Sequence, residues 1–365
     1  MAEALARRGH EVDVVTYHLG AELLDAPFHV HRTRKLLGYC KVTPGPDWQK
    51  LLVLDPLLAA RLAHLVRERR YHIVHAHHVE GLLSALPAAR RYGIPLVFDA
   101  HTLLETELPF YRMGLGRVVL KRLGRWLDRI VPRRADHVIA VSEQIRDAFT
   151  QQAGISAERI SVIPNGVESE VFAAPADSSG TANATPTLVY AGNMAAYQGI
   201  DLLLAAFSKI TVEYPEIRLK IVSDGGFEAY ELLSRTLGVR DQIDVVQADF
   251  SQLPSQLSSA TVLLNPRMNC DGLPQKLLNY MAAGRPIVSF QGSARHVRDG
   301  HSALVVPDGD TDAFAGAVLR LLLDRPLALT LGRNAQLHVQ AEMSWVHTAE
   351  RVERVYERLV RVRAP

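Results

Sequence analysis

Residues 270–288 read CDGLPQKLLNYMAAGRPIV. A Gly272, Leu273, Pro274 turn leads into a short apolar helix, which Gly284 ends before a buried strand. Glycine supplies turn conformations that other residues avoid, and proline presets its own φ. The turn aims backbone N–H groups and a helix N-terminus at one spot, a combination suited to anions. Asp271 and Asn279 stand eight residues apart and bracket about two helical turns.

Outward from this motif, strand-like runs alternate with helical patterns, which predicts parallel α/β architecture. Residues 188–191, 218–222, 243–246, 260–264, 286–289 and 302–306 read as strands of a second domain, with helices between them, among them 201–209 and 227–237. In the first half, residues 11–17 (EVDVVTY), 72–75, 96–99, 137–141 and 160–163 read the same way. Ser142 opens a helix as its N-cap. Residues 173–187 (AAPADSSGTANATPT) are small and polar, as a linker is. The expected division is therefore a doubly wound domain at 1–172, the linker, a second at 188–345, and a last helix at 346–365 with room to pack back on the first domain. Ligands of such sheets bind outside the carboxyl ends of the strands.

Composition narrows the function. The 41 basic and 39 acidic residues nearly cancel, so charge offers no argument for a nucleic-acid partner. Two distant cysteines, Cys40 and Cys270, make no disulfide framework and fit a reducing cytoplasm. No apolar run approaches the roughly eighteen residues that span a bilayer, and no signal peptide opens the chain.

Further stretches carry a resemblance: residues 4–12 (ALARRGHEV), 163–168 (IPNGVE), 189–193 (VYAGN) and 197–203 (YQGIDLL), taken with the Gly-Leu-Pro motif. Together, over nearly the whole chain, they resemble the retaining GT-B glycosyltransferases of group 1, family 4-like. The resemblance implies two Rossmann-like domains facing a cleft and a nucleotide-diphosphate sugar as donor, bound by residues 188–290. It also implies a sugar or lipid-linked acceptor on the first domain's side, with neither cofactor nor metal. Hexosyl transfer would proceed with retention, the leaving diphosphate being stabilised electrostatically.

Carried onto this sequence, the donor site comprises Gly192, Asn193, Gln198, Gly272, Leu273, Pro274, Lys276 and Asn279. Asp271 and His101 stand at catalytic positions, Asp271 for sugar hydroxyls and His101 beside the reacting sugar. Four positions depart from the family. Asn193 and Gln198 replace an Arg and a Lys that hold the diphosphate, and Asp271 and Asn279 replace two glutamates. Neutral amides still donate to phosphate, but contribute about 1 kcal/mol against roughly 1.5–3 for charged donors. Lys276, on the first turn of the motif helix, is the expected compensating cation; Arg267 and Arg285 are weaker alternatives. A solvated surface lysine is the other reading of Lys276. A catalytically inactive, glycosyltransferase-like binding subunit is the alternative for the whole chain.

Three other features complete the reading. His75 and His77 share one strand face, as two imidazole ligands would, with His72 and His78 close by. No carboxylate or cysteine cluster with metal spacing accompanies them, so no metal site is expected. Asp308, Asp310 and Asp312 read as turn and N-cap residues, and Glu105 and Glu107 could face the acceptor. The block 112–134 holds Arg112, Arg117, Lys121, Arg122, Arg125, Arg129, Arg133 and Arg134 against Asp128 alone. Leu115, Val119, Leu123, Trp126 and Ile130 recur there near helical spacing. Two readings stay open: a helix with its apolar face in the core, or one docking on an anionic membrane surface, peripheral at the inner face of the cell membrane. Lastly, residues 1–9 (MAEALARRG) read as the tail of a helix. The resemblance places a strand and a glycine-rich loop before it, so on the order of 20–35 upstream coding residues are expected. The alternative is a genuine short N-terminal helix.

Overall fold

The computed structural model describes residues 1–20, 25–41, 47–111, 115–172, 185–270, 272 and 274–363. The chain forms two units, residues 1–165 with 345–365, and residues 166–344. The division falls at Asn165, ahead of the short helix Ser169–Phe172. Phe172 is the reason: its ring is buried among Leu257, Leu277 and Met281 of the second unit. Residues 173–184 of the expected linker lie outside the described residues.

In the first unit, β1 (Asp13–Thr16) and β2 (His29–Arg32) pair in parallel. A separate parallel sheet runs β3 (Val74–His77), β4 (Leu96–Ala100), β5 (His137–Ala140) and β6 (Ile160–Val162) in that spatial order. Alternate residues of β4 serve opposite faces, as strand geometry requires. Leu96, Phe98 and Ala100 join one core, whereas Val97 joins Ile139, Ala349, Val352 and Val355 in another. The last three of these belong to the helix Trp345–Arg363, so that helix covers the second face of the sheet. The β2 strand has no counterpart in the sequence reading.

The second unit is a six-stranded parallel sheet. Its strands are β7 (Thr187–Ala191), β8 (Arg218–Val222), β9 (Ile243–Val246), β10 (Val262–Asn265), β11 (Ile287–Phe290) and β12 (Leu304–Val306). Their spatial order is β12-β11-β10-β7-β8-β9. From β7 the chain winds outward to β8 and β9, then returns to the other side through β10. The order therefore reverses between β7 and β10, and a crevice opens at the carboxyl ends of such a pair. Leu188 and Tyr190 of β7 enter one core, while Val189 and Ala191 enter the opposite one. Helices Ile200–Glu213 and Thr311–Leu323 cover the first face, and Gln275–Ala282 and Arg325–Glu342 cover the second.

Local signals behave as their chemistry dictates. Ser142 Oγ accepts from Ile145 N at 3.3 Å, and Asp310 Oδ1 accepts from Ala313 N at 2.8 Å, each capping its helix. Among the described residues no helix is long and apolar enough to cross a membrane.

Candidate functional site

The motif helix Gln275–Ala282 begins at Pro274 beside the reversal between β7 and β10. Tyr280 fixes it there: its hydroxyl accepts from Ala191 N at 2.7 Å, so the helix is tied to the last residue of β7. The preceding turn carries Lys276 to the carboxyl end of that strand. Lys276 Nζ donates to Gln198 Oε1 at 2.6 Å and sits 4.7 Å above the centroid of the Tyr190 ring. Burial, and then repulsion from Arg267, bring its ammonium down to about 7.

Asn193 and Gln198 belong to the same network. Gln198 Nε2 donates to Asn193 Oδ1 at 3.3 Å, and Asn193 Nδ2 donates to the Tyr197 hydroxyl at 3.1 Å. Tyr190 closes the floor by donating to Asn193 O at 2.8 Å. Arg267 follows β10 and stacks 4.9 Å from the Tyr197 ring centroid. Gly192 makes the close approach possible: its φ is +152°, and a Cβ there would lie 2.9 Å from the Tyr190 hydroxyl oxygen. The structure thus joins Gly192, Asn193, Gln198 and Lys276, and adds Tyr190, Tyr197 and Arg267. Arg285 lies past the opposite end of the motif helix, beyond its Ala283 cap.

Asn279 stands on the second turn of that helix, buried, with its Oδ1 lacking a hydrogen-bond partner among the described residues. A buried acceptor left this way costs about 1–3 kcal/mol, which a ligand hydroxyl would recover. Gly272 and Pro274 are buried in the turn. Asp271 and Leu273 lie outside the described residues. Past β8 and β9, a cavity of about 570 Å³ is lined by Gly225, Gly226, Phe227, Glu231, Arg240 and Gln247.

In the first unit, His101 follows β4 directly and faces a cavity of about 240 Å³ with His77 and Asp99. The register pairs His77 with Asp99. His77 Nδ1 and His101 Nε2 share a hydrogen bond of 3.0 Å, and the His78 ring lies 4.7 Å from that of His101. His78 adopts φ +59°, a costly conformation for a residue with a side chain. Burial pushes His101 below its ordinary value and favours its neutral form; His77 is driven the same way by desolvation and then by the neighbouring His75, although its side chain is 47% exposed. Burial opposes the Asp99 charge, but the facing imidazoles, His75 first, outweigh it and hold that carboxyl at about 2. Asp99 is the partner that sequence reasoning missed, because only the strand register brings it to the histidines.

Glu105 and Glu107 have structural partners. Glu105 pairs with Arg125 at 2.5 Å, and Glu107 Oε2 accepts from Thr102 Oγ1 at 3.0 Å.

The basic helix Leu115–Ile130 does not bury the stripe Val119, Leu123 and Trp126: these are 64%, 43% and 56% exposed. Gly124 and Asp128 face inward instead. A Cβ on Gly124 would lie 2.3 Å from Leu104 O, and the Asp128 carboxylate accepts from Leu104 N and Glu105 N at 3.1 and 2.9 Å. This contact rotates the apolar stripe into solvent.

Comparison with known proteins agrees with this architecture. The model for Glycosyltransferase Family 4 matches residues 1–171, and that for Glycosyl transferases group 1 matches residues 185–324. The chain is similar to a D-inositol 3-phosphate glycosyltransferase of Nocardiopsis dassonvillei, 26% identical over 312 residues, covering 80% of this chain and 72% of that protein. Among solved structures it superposes on sucrose-phosphate synthase from Thermosynechococcus elongatus with a TM-score of 0.82 at 22% identity, covering 99% and 92% of the two chains. It superposes on Anabaena HepE in complex with UDP-glucose with a TM-score of 0.71 at 16% identity, covering 95% and 99%. Two matched family models, an α/β fold of two parallel-sheet units and an anion-suited network at the β7–β10 reversal converge: the chain belongs to the family 4-like, group 1 glycosyltransferases of the GT-B fold.

Proposed function

We propose that the chain transfers a hexosyl group from a nucleotide-diphosphate sugar to a sugar or lipid-linked acceptor, with retention of configuration. The observation that carries this reading is Lys276, a partly buried lysine at the strand-order reversal whose ammonium hydrogen-bonds only one oxygen, that of Gln198, among the described contacts. Its remaining N–H donors suit a diphosphate, and a fixed cation meets the charge that grows on the leaving group. Asn279 Oδ1 suits a ribose hydroxyl. Neutral His101 suits a sugar hydroxyl, as donor or acceptor. The UDP-glucose held by HepE makes uridine diphosphate sugars the first donors to try. A thermal-shift and hydrolysis screen of UDP-, GDP-, ADP- and dTDP-sugars tests the reading. Stabilisation by at least one, with release of its diphosphate, is expected. Binding without turnover on any acceptor would favour the inactive binding subunit instead.

We further propose that the helix Leu115–Ile130 docks on an anionic lipid surface. Val119, Leu123 and Trp126 form an exposed apolar stripe beside Arg122 and Arg129, and charge complementarity with anionic headgroups supports the assignment. Such docking would bring a lipid-linked acceptor to the enzyme.

A further inference from the structure

We propose that His77 is a positioning residue: with Asp99 it fixes the tautomer of His101, which then presents an Nδ1–H donor to a hydroxyl of the transferred sugar. This assignment rests on the sugar-facing role of His101 proposed above, which left donor and acceptor both open.

A neutral imidazole carries one ring proton, so one nitrogen donates and the other accepts. His77 Nδ1 and His101 Nε2 are 3.0 Å apart and share one proton between them. The two ring planes differ by only 20° and their centroids stand 5.4 Å apart, as rings bonded edge to edge do. His101 Nδ1 has no hydrogen-bond partner among the described residues, and His101 lines the 240 Å³ cavity. A hydrogen bond on one imidazole nitrogen sets what the other can do. If His77 donates, His101 Nδ1 carries the proton; if His101 Nε2 donates, Nδ1 is an acceptor.

Asp99 decides between the two. Its Oδ2 lies 3.4 Å from His77 Nδ1 and 3.7 Å from His101 Nε2. The side chain is only 6% exposed and is held as the carboxylate by the facing imidazoles. An anion attracts a proton and repels a lone pair, most strongly away from water. With the proton on His101 Nε2, the lone pair of His77 Nδ1, the nearer nitrogen, would face that carboxylate. The shared proton therefore sits on His77, and His101 keeps its own on Nδ1. Neighbouring rings hold this geometry. His75 lies parallel to His77, with 4.8 Å between centroids and 6° between planes, and the Tyr356 hydroxyl holds His75 Nδ1 at 2.5 Å. The His78 ring packs 4.7 Å from that of His101, tilted by 37°.

The test reads the tautomer directly, in the free full chain at pH 8, by two-bond ¹H–¹⁵N correlation of the histidine rings. At that pH an ordinary histidine is neutral. His101→Gln identifies the His101 signals by their loss. The wild type is expected to show His101 as the Nδ1–H form. His77→Leu, at a position 47% exposed, keeps the circular dichroism spectrum and returns His101 mainly to the Nε2–H form that imidazole side chains favour in water. His77→Asn keeps an N–H at similar reach and retains the Nδ1–H form. With a donor that is turned over, His77→Leu is expected to lower kcat about five- to tenfold, with the donor KM changed by less than about twofold. His77→Asn should restore most of that loss. An Nε2–H form in the wild type, or an unaltered tautomer in folded His77→Leu, would overturn the assignment. Turnover in His77→Leu equal to the wild type would overturn the positioning role. The tautomer is read without donor or acceptor, so it fails separately from the transfer reading.

Discussion

Lys276 Nζ donates to Gln198 Oε1 at 2.6 Å, so this chain's cation rests on a neutral amide of the turn after β7. The amides of Asn193 and Gln198 are occupied by each other, by Tyr197 and by Lys276. Adding a second cation here is therefore unfavourable. Gln198→Lys alone sets two ammonium groups side by side and is expected to lower the unfolding midpoint. The exchange Gln198→Lys with Lys276→Gln is expected to recover most of the affinity for a nucleoside diphosphate. Lys276→Met should lower that affinity about 10- to 100-fold, and Asn193→Ala less, since a charged donor is worth roughly 1.5–3 kcal/mol and a neutral one about 1. Calorimetric titration of the four variants ranks them. Equal, negligible effects would place the diphosphate elsewhere.

A proton follows the diphosphate. Burial and Arg267 lower the free Lys276 to about 7, whereas a bound anion raises it again. Above pH 7 the free amine is therefore mostly neutral and binding takes up a proton. Affinity is full below pH 7 and falls as pH rises through it, up to tenfold per unit. Calorimetry at pH 8 in buffers of different ionisation enthalpy should report uptake approaching one proton, abolished in Lys276→Met. No dependence on the buffer would contradict the assignment.

Asn279 separates binding from stability. Its unpartnered, buried Oδ1 weakens the free protein, so Asn279→Leu is expected to hold or raise the unfolding midpoint. The same change should weaken nucleotide affinity by several-fold. A stability loss above about 2 kcal/mol with unchanged affinity would make the residue purely structural.

Anionic vesicles test the exposed helix face. Arg125 and Lys121 lie 2.5 and 3.9 Å from Glu105, so their charges are partly neutralised. Arg122 and Arg129 beside Trp126 are the better probes. Co-sedimentation with anionic vesicles is expected to fall as salt rises, because exposed charges are screened within about 8–10 Å. Replacing Arg122, Trp126 and Arg129 together should remove it. Binding to neutral vesicles alone, or none, would contradict docking.

Much of this was legible in the sequence, for local reasons. Runs such as 218–222 and 243–246 carry apolar residues on parallel strands, and their bounds match β8 and β9. The strand β2 escaped because HVHR is short and polar, and is defined only by pairing with β1. Asn193, Gln198 and Lys276 could be grouped because one turn and one motif supply them. Asp99 could not, since strand register rather than spacing brings it to His75 and His77. The stripe of Val119, Leu123 and Trp126 shows the limit of periodicity. It reveals an apolar face but not which way that face points, and Gly124 against Leu104 decides that.

Proton NMR of the released sugar reads donor turnover, its stereochemistry and its dependence on Lys276 in one measurement. With an α-linked nucleotide-diphosphate hexose that stabilises the protein, the account predicts an α-configured product at first appearance. It also predicts turnover at least about tenfold slower in Lys276→Met. A β-configured first product would contradict retention. Absence of turnover and binding for every common nucleotide sugar at millimolar concentration, or unchanged turnover in Lys276→Met, would contradict the donor site itself.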